Sequence, residues 1–186
     1  LLASSAASDV YKRQDKDNYG VPRSKSIQTT PAHQLALAAV YYSPLQYMYW
    51  YDKPSDSQDE PELKFFDDIY TTWDDTKVLQ GEIGQFITIA RRKGEEWFIG
   101  SITNNEARAL PVSLDFLPEG KNYVAEIYTD GERSIKTRTK VKCSRYRVNS
   151  MTKLNFELKA SGGSAVRLIP EKDVKKKLGN YKKQKL

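Results

Sequence analysis

Three groups of side chains in this sequence could do chemistry: adjacent carboxylates, one histidine with one cysteine, and a set of closely spaced aromatics. Two carboxyl groups held about 5–9.5 Å apart can cleave a glycosidic bond, one as acid and the other as base or nucleophile. Adjacent pairs exist at Asp67-Asp68, Asp74-Asp75 and Glu95-Glu96. Neighbours on a helix or strand point to different faces, so adjacency alone does not build that geometry. Glu95-Glu96 falls in a hairpin turn and is expected to face solvent, while Asp74, next to Trp73, is expected to make a structural hydrogen bond. His33 and Cys143 are the only candidates for a Cys–His pair, but lie 110 positions apart, and a structural role is expected for each. One histidine excludes a multi-His metal site, and one cysteine excludes an internal disulfide. Asp52, Asp56, Asp59 and Glu60 could attract calcium, but their spacing fits no EF-hand loop, so a solvated acidic loop is expected. Trp50, Trp73 and Trp97, with Tyr47, Tyr49 and Tyr51, suit either stacking on sugar rings or packing at a core or domain interface. The sequence assigns no catalytic residue and no metal ligand.

Charge narrows the choice of partners. The 186 residues carry a formal net charge of +6. Residues 171–186 contribute +5 and residues 1–23 contribute +1, leaving the stretch between them neutral. A lysine tail on a neutral body reads as a solvated end, and neither aromatic RNA-binding motifs nor zinc-finger spacings accompany it. Nucleic acid is therefore not the expected partner. No run approaches the ~18 apolar residues of a membrane span.

The elements that must position these groups change character along the chain. Residues 1–14, LLASSAASDVYKRQ, lack the apolar core of a signal peptide and read as non-native read-through. Thr29 or Thr30 can cap a helix over about 30–43, with Pro31 in its first turn and Ser43-Pro44 ending it. LALAAVYY places apolar groups on every face, as expected of a helix buried in a larger protein. A short helix is expected over about 60–70, with Asp59 or Glu60 near its cap. The period then falls from 3.6 to 2. GQFITIARRKGEEWFIGSIT reads as a hairpin turning at Lys93-Gly94-Glu95, and ALPVSLDFL and NYVAEIYTDG as further strands. Weaker strands fall near 134–141 and 146–148, and LNFELKA and GGSAVRLIP form a last pair around Ser161-Gly162-Gly163. Seven or eight short strands at this spacing predict an antiparallel β-sandwich.

Five colinear stretches carry a resemblance: TTPAHQLALAAVYYSPLQYM, TTWDDT, GEIGQFITIARRKGEEWFIGSITN, LPVSLDFLPEGKNYVAEIYTDG and LNFELKASGGSAVRLIP. Together, from about Ser24 to Pro170, they resemble the C-terminal end of glycoside hydrolase family 97. Trp73-Asp74-Asp75-Thr76 stands where the family usually has Trp-Asp-Glu-Thr, and the YMYWYDKP stretch is less typical. The resemblance implies exo-acting α-glucosidases or α-galactosidases, many from Bacteroidetes. Their fold is an N-terminal β-domain, a (β/α)8 catalytic barrel and a C-terminal sandwich. It also implies calcium near the active site, inverting or retaining chemistry, a periplasmic or secreted location, and a terminal domain that supports the barrel or oligomer contacts. On that basis residues 15–76 are the end of the barrel, 77–170 the sandwich and 171–186 a basic tail. The catalytic and calcium-binding carboxylates are expected upstream, so this stretch would bind no calcium itself and be inactive alone. The rival reading is a carbohydrate-binding sandwich module.

Overall fold

The computed structural model describes residues 29–46, 61–131 and 139–175. Two helices come first, α1 (Pro31–Val40) and α2 (Leu63–Asp68). Eight strands follow: β1 (Asp75–Glu82), β2 (Phe86–Lys93), β3 (Glu96–Thr103), β4 (Arg108–Ser113), β5 (Tyr123–Asp130), β6 (Val141–Val148), β7 (Lys153–Leu158) and β8 (Gly163–Pro170). They form a six-stranded sheet in the order β1-β2-β3-β8-β5-β6 and a two-stranded sheet of β4 and β7. Every pairing is antiparallel.

Alternation divides each central strand between two cores. Trp97 and Ile99 of β3, Ala125 and Ile127 of β5, and Val166 and Leu168 of β8 face the small sheet. There they meet Leu110 and Val112 of β4 and Leu154, Phe156 and Leu158 of β7. Phe98, Tyr128 and Ala165, on the intervening positions, face the helices and pack with Leu35, Ala36, Ala39 and Phe65. The architecture is three layers: helices, large sheet, small sheet. β3, β5 and β8 are covered on both faces, which is why their sequences read as nearly continuous apolar runs.

Two expectations need correction. LNFELKA and GGSAVRLIP do not pair with each other: β7 pairs with β4, and β8 inserts between β3 and β5. Burial gives the reason. β7 alternates exposed and buried and suits an outer sheet with one covered face, whereas β8 is buried at all positions and needs neighbours on both sides. The Ser161-Gly162 turn therefore carries the chain from one sheet to the other. The weak strand near 146–148 is longer than expected: it belongs to β6 (Val141–Val148), in unbroken register with β5 from Tyr123↔Val148 to Asp130↔Val141, while most of the one expected near 134–141 lies outside the described residues. Lys142, Arg145 and Arg147 interrupt its apolar pattern because it is an edge strand. Residues 132–138 lie outside the described part.

The hairpin of β2 and β3 turns through Gly94-Glu95, with Lys93 opposite Glu96. Gly94 takes φ 59°, the left-handed value that a two-residue hairpin of this twist requires at its first central position.

α1 begins where Thr30 Oγ1 accepts the His33 N–H at 3.2 Å, with Pro31 just inside the helix. It stops at Val40, short of residue 43, because Pro44 disfavours helical geometry at Ser43 and a side chain takes over the last carbonyls. Gln46 Nε2 lies 3.1–3.2 Å from the carbonyls of Ala38, Tyr41 and Ser43. The helix lies directly on the sheet through two glycines. A Cβ at Gly100 would sit 2.4 Å from the Ala36 carbonyl oxygen, and one at Gly163 would sit 2.6 Å from His33 Cα. α2 runs only from Leu63 to Asp68, shorter than 60–70, and presses Phe65 edge-on against Phe98 and Tyr128 at 5.9 and 5.5 Å.

Candidate functional site: buried charges under the helices

The helix-facing side of the large sheet carries a row of charged side chains. Phe98, Arg167, Glu126 and Arg145 occupy one cross-strand line over β3, β8, β5 and β6. Arg167, 3% exposed, is the hub. Its Nε donates to Glu96 Oε2 at 2.8 Å, and its Nη1 to Asp68 Oδ2 on α2. Glu126 Oε2 lies 3.9 Å from the same Nη1. Glu126 Oε1 accepts from Arg145 Nε at 2.8 Å, and Lys64 bonds Asp68 at 2.6 Å. Arg167 Cζ also lies 5.8 Å from the Phe98 ring. Unpaired charges in such an interior would be strongly destabilising, so this network fastens α2 to three strands.

The carboxylates are thereby placed. Glu96 is 5% exposed and belongs to the network, which corrects the expectation that Glu95-Glu96 faces solvent as a pair. The cause is register: Glu96 is the first residue of β3 and shares a face with Phe98. Glu95 remains at the surface between Lys121 at 3.0 Å and Lys172, and these lysines hold its carboxyl below the usual range, Lys172 first. Asp67 is exposed while Asp68 turns inward. Asp74 accepts the Gly94 N–H at 2.7 Å and Lys93 Nζ at 3.0 Å, bonds that lower its pKa and clasp the β2–β3 turn. Glu62 is fully buried, with Oε1 accepting from Thr139 and Oε2 without a donor among the described residues. The acidic loop residues Asp52, Asp56, Asp59 and Glu60 lie outside the described part.

His33 Nδ1 lies 3.1 Å from the Gly162 carbonyl, which ties α1 to the β7–β8 turn. Cys143 lines a cleft of about 320 Å³ with Pro61, Glu126, Tyr128 and Arg145. Cys143 keeps surface exposed to solvent, and desolvation in the cleft, then the charges of Glu62 and Glu126, push its thiol up to about 12. Among the described residues no three His, Cys, Asp or Glu side chains could hold a metal ion. No described helix is long and apolar enough to cross a membrane.

Trp97 is 3% exposed, packs 4.7 Å from Phe116 and offers no free face to a sugar. Trp73 stands edge-on to Phe98 at 5.5 Å and to Tyr70 at 6.4 Å, beside the end of α1. Trp50 lies outside the described residues. Sequence reasoning passed over Arg91, Glu126 and Arg167. Their signal is a charge inside an apolar strand, as in YVAEIYT and SAVRLIP: such a charge must be paired inside or point away from the core. Arg91 is 1% exposed and donates from Nη2 to the Val40 carbonyl at 2.9 Å, closing the end of α1; burial pulls its pKa below the usual value.

One helix fastened by a buried ion pair and another lying directly on the sheet define an antiparallel β-sandwich domain with a helical layer. Comparison with known proteins gives its family. Residues 72–169 match the family model described as "Glycosyl-hydrolase 97 C-terminal, oligomerisation", and the chain belongs to glycoside hydrolase family 97. A retaining α-galactosidase of Bacteroides thetaiotaomicron is 37% identical over 142 residues, which are 76% of this chain and 21% of that protein. A family 97 enzyme from Pseudoalteromonas sp. strain K8, solved with acarbose, is 37% identical with a TM-score of 0.69, covering 77% of this chain and 23% of its own. A β-arabinopyranosidase structure shares the fold at 24% identity and a TM-score of 0.61. The chain thus spans about a fifth of the length of the relatives it matches.

Proposed function

We propose that this chain is the non-catalytic C-terminal part of an α-glycosidase acting on terminal α-glucosides or α-galactosides. In this reading residues 15–76 complete the catalytic barrel, and residues 77–170 form the sandwich that buttresses it and joins a second copy in an oligomer. The carrying observation is the use of the carboxylates: Glu96, Asp68 and Glu126 all serve structural ion pairs around Arg167. The acid and its partner carboxylate, together with the calcium ligands, then belong to the preceding domain. The Bacteroides relative supports the α-galactoside option by its activity. α1 suits a place between two domains, since Ala32, Leu35, Ala36 and Ala39 are buried on the sheet while Leu37, on the opposite side of the helix, is only half-buried.

Trp73 serves a domain interface in this account rather than a sugar subsite. Isothermal titration calorimetry of the chain with maltooligosaccharides and α-galactosides tests that choice. The expected result is no binding heat. Saturable heat that disappears in Trp73→Ala would replace the scaffold by a carbohydrate-binding module.

A further inference from the structure

Among the described residues the large sheet ends on β1 and β6, and the small sheet on β4 and β7. An edge strand leaves backbone N–H and C=O groups unpaired along one side, a template for another strand. Three of these edges are poor templates. β6 carries Lys142, Arg145 and Arg147 and no acid, so two copies of it repel. β4 contains Pro111, which has no N–H, and turns towards β1, whose Gln80 Nε2 donates to the Pro111 carbonyl at 3.2 Å. β7 offers solvent only Lys153, Asn155 and Glu157, so pairing there would cover no apolar side chain.

β1 differs from all three. Val78, in mid-strand, is 66% exposed, and Ile83, just past the strand's end, is fully exposed. Lys77 and Glu82 carry opposite charges but lie ~16 Å apart along the strand, too far to pair within one chain. Their own contacts are at the surface: Asp75 lies 3.6 Å from Lys77, and Gln85 donates to Glu82.

A bulge fixes which way these side chains point. Lys77 opposes Ala90, on the small-sheet side, whereas Val78 opposes Ile89, on the helix side. Leu79 has no partner in β2, so the alternation slips by one residue there. Beyond it, Gln80 and Glu82 oppose Thr88 and Phe86 on the small-sheet side, and Gly81 opposes Ile87 on the helix side. Residues that oppose each other in an antiparallel pair must share a face. Two β1 strands related by a two-fold axis between Leu79 and Gln80 meet that condition throughout Lys77–Glu82. Lys77 then opposes Glu82 of the other copy, Val78 opposes Gly81, and Leu79 opposes Gln80. Each ammonium meets a carboxylate, and Val78 fills the space a glycine leaves. A bulge blunts an edge against foreign strands, but here it faces its own copy.

We infer that the β1 edge is the seam at which a second copy of this chain joins, continuing the large sheet across a two-fold axis. The inference rests on the reading that the sandwich serves an oligomer, and it names the surface that does so.

A charge swap tests it. Sedimentation equilibrium of the 186-residue chain gives the dimer Kd, and circular dichroism checks that each variant keeps the parent fold. Lys77→Glu sets carboxylate against carboxylate at both ends of the seam and is expected to raise Kd about tenfold or more. Glu82→Lys sets ammonium against ammonium and should do the same. The double variant, Lys77→Glu with Glu82→Lys, restores opposite charges across the seam and is expected to return Kd to within about threefold of the parent. Such a rescue cannot arise within one chain, because the two side chains do not reach each other there. A dimer indifferent to both single variants would overturn the seam and leave the oligomer reading standing. Failure of the double variant to recover would also overturn it. A chain that stays monomeric up to about 1 mM would defeat the oligomer reading together with the seam.

Discussion

At the scale of single residues, the protein is organised by charges placed where apolar side chains would be expected. Arg167 touches Glu96, lies over Phe98 and reaches α2 through Asp68. Arg167→Met would leave the carboxylates of Glu96 and Asp68 without their buried partner. The expected loss is about 3–5 kcal/mol, the range for breaking a buried ion pair from one side. Urea unfolding of the chain measures it, and a loss below about 1 kcal/mol would show that the network is solvated or replaceable. These residues were partly legible beforehand. SAVRLIP and YVAEIYT each announce a charge in a buried strand, but which charges meet depends on β8 entering between β3 and β5. That is a non-local fact which no local spacing encodes. Glu96 shows the same limit: turn chemistry located the hairpin, yet only the register decided which of two adjacent glutamates turns inward.

At the scale of elements, close approach holds α1 to the sheet. The sites are Gly100 on β3 and Gly163 on β8, where an added Cβ would meet helix backbone at 2.4 and 2.6 Å. Gly100→Ala should cost about 1–3 kcal/mol, because backbone on backbone cannot yield as a flexible side chain can. Gly163→Ala should behave alike, and denaturant unfolding of each variant checks it. Stability equal to the parent would mean that the helix sits further from the sheet. The period-2 strands were legible because antiparallel strands with one covered face must alternate, as β4 and β7 do. The last hairpin was misplaced for a related reason. Two strands joined by a short glycine turn usually pair, and here the burial demand of β8 outweighed that tendency. The extent of β6 was underestimated because lysine and arginine on an edge strand mask its apolar face while protecting it from adding further strands.

At the scale of the whole molecule, composition pointed first to a basic protein, and position along the chain removed that impression. The excess charge sits at the ends of the sequence, while the folded layers balance acid against base and bury several of the pairs. Family membership was carried by five colinear stretches, and residues 72–169 of them form the domain that the family model matches. The chain covers about a fifth of the length of its relatives, and in the proposed reading its function is a share in a larger enzyme. The most direct test of the central claim is hydrolysis of 4-nitrophenyl α-glucoside and α-galactoside by the purified 186-residue chain, with and without calcium. The account predicts no release of nitrophenol above buffer under any of these conditions. Turnover proportional to the concentration of the chain would contradict it and place a catalytic pair among these residues.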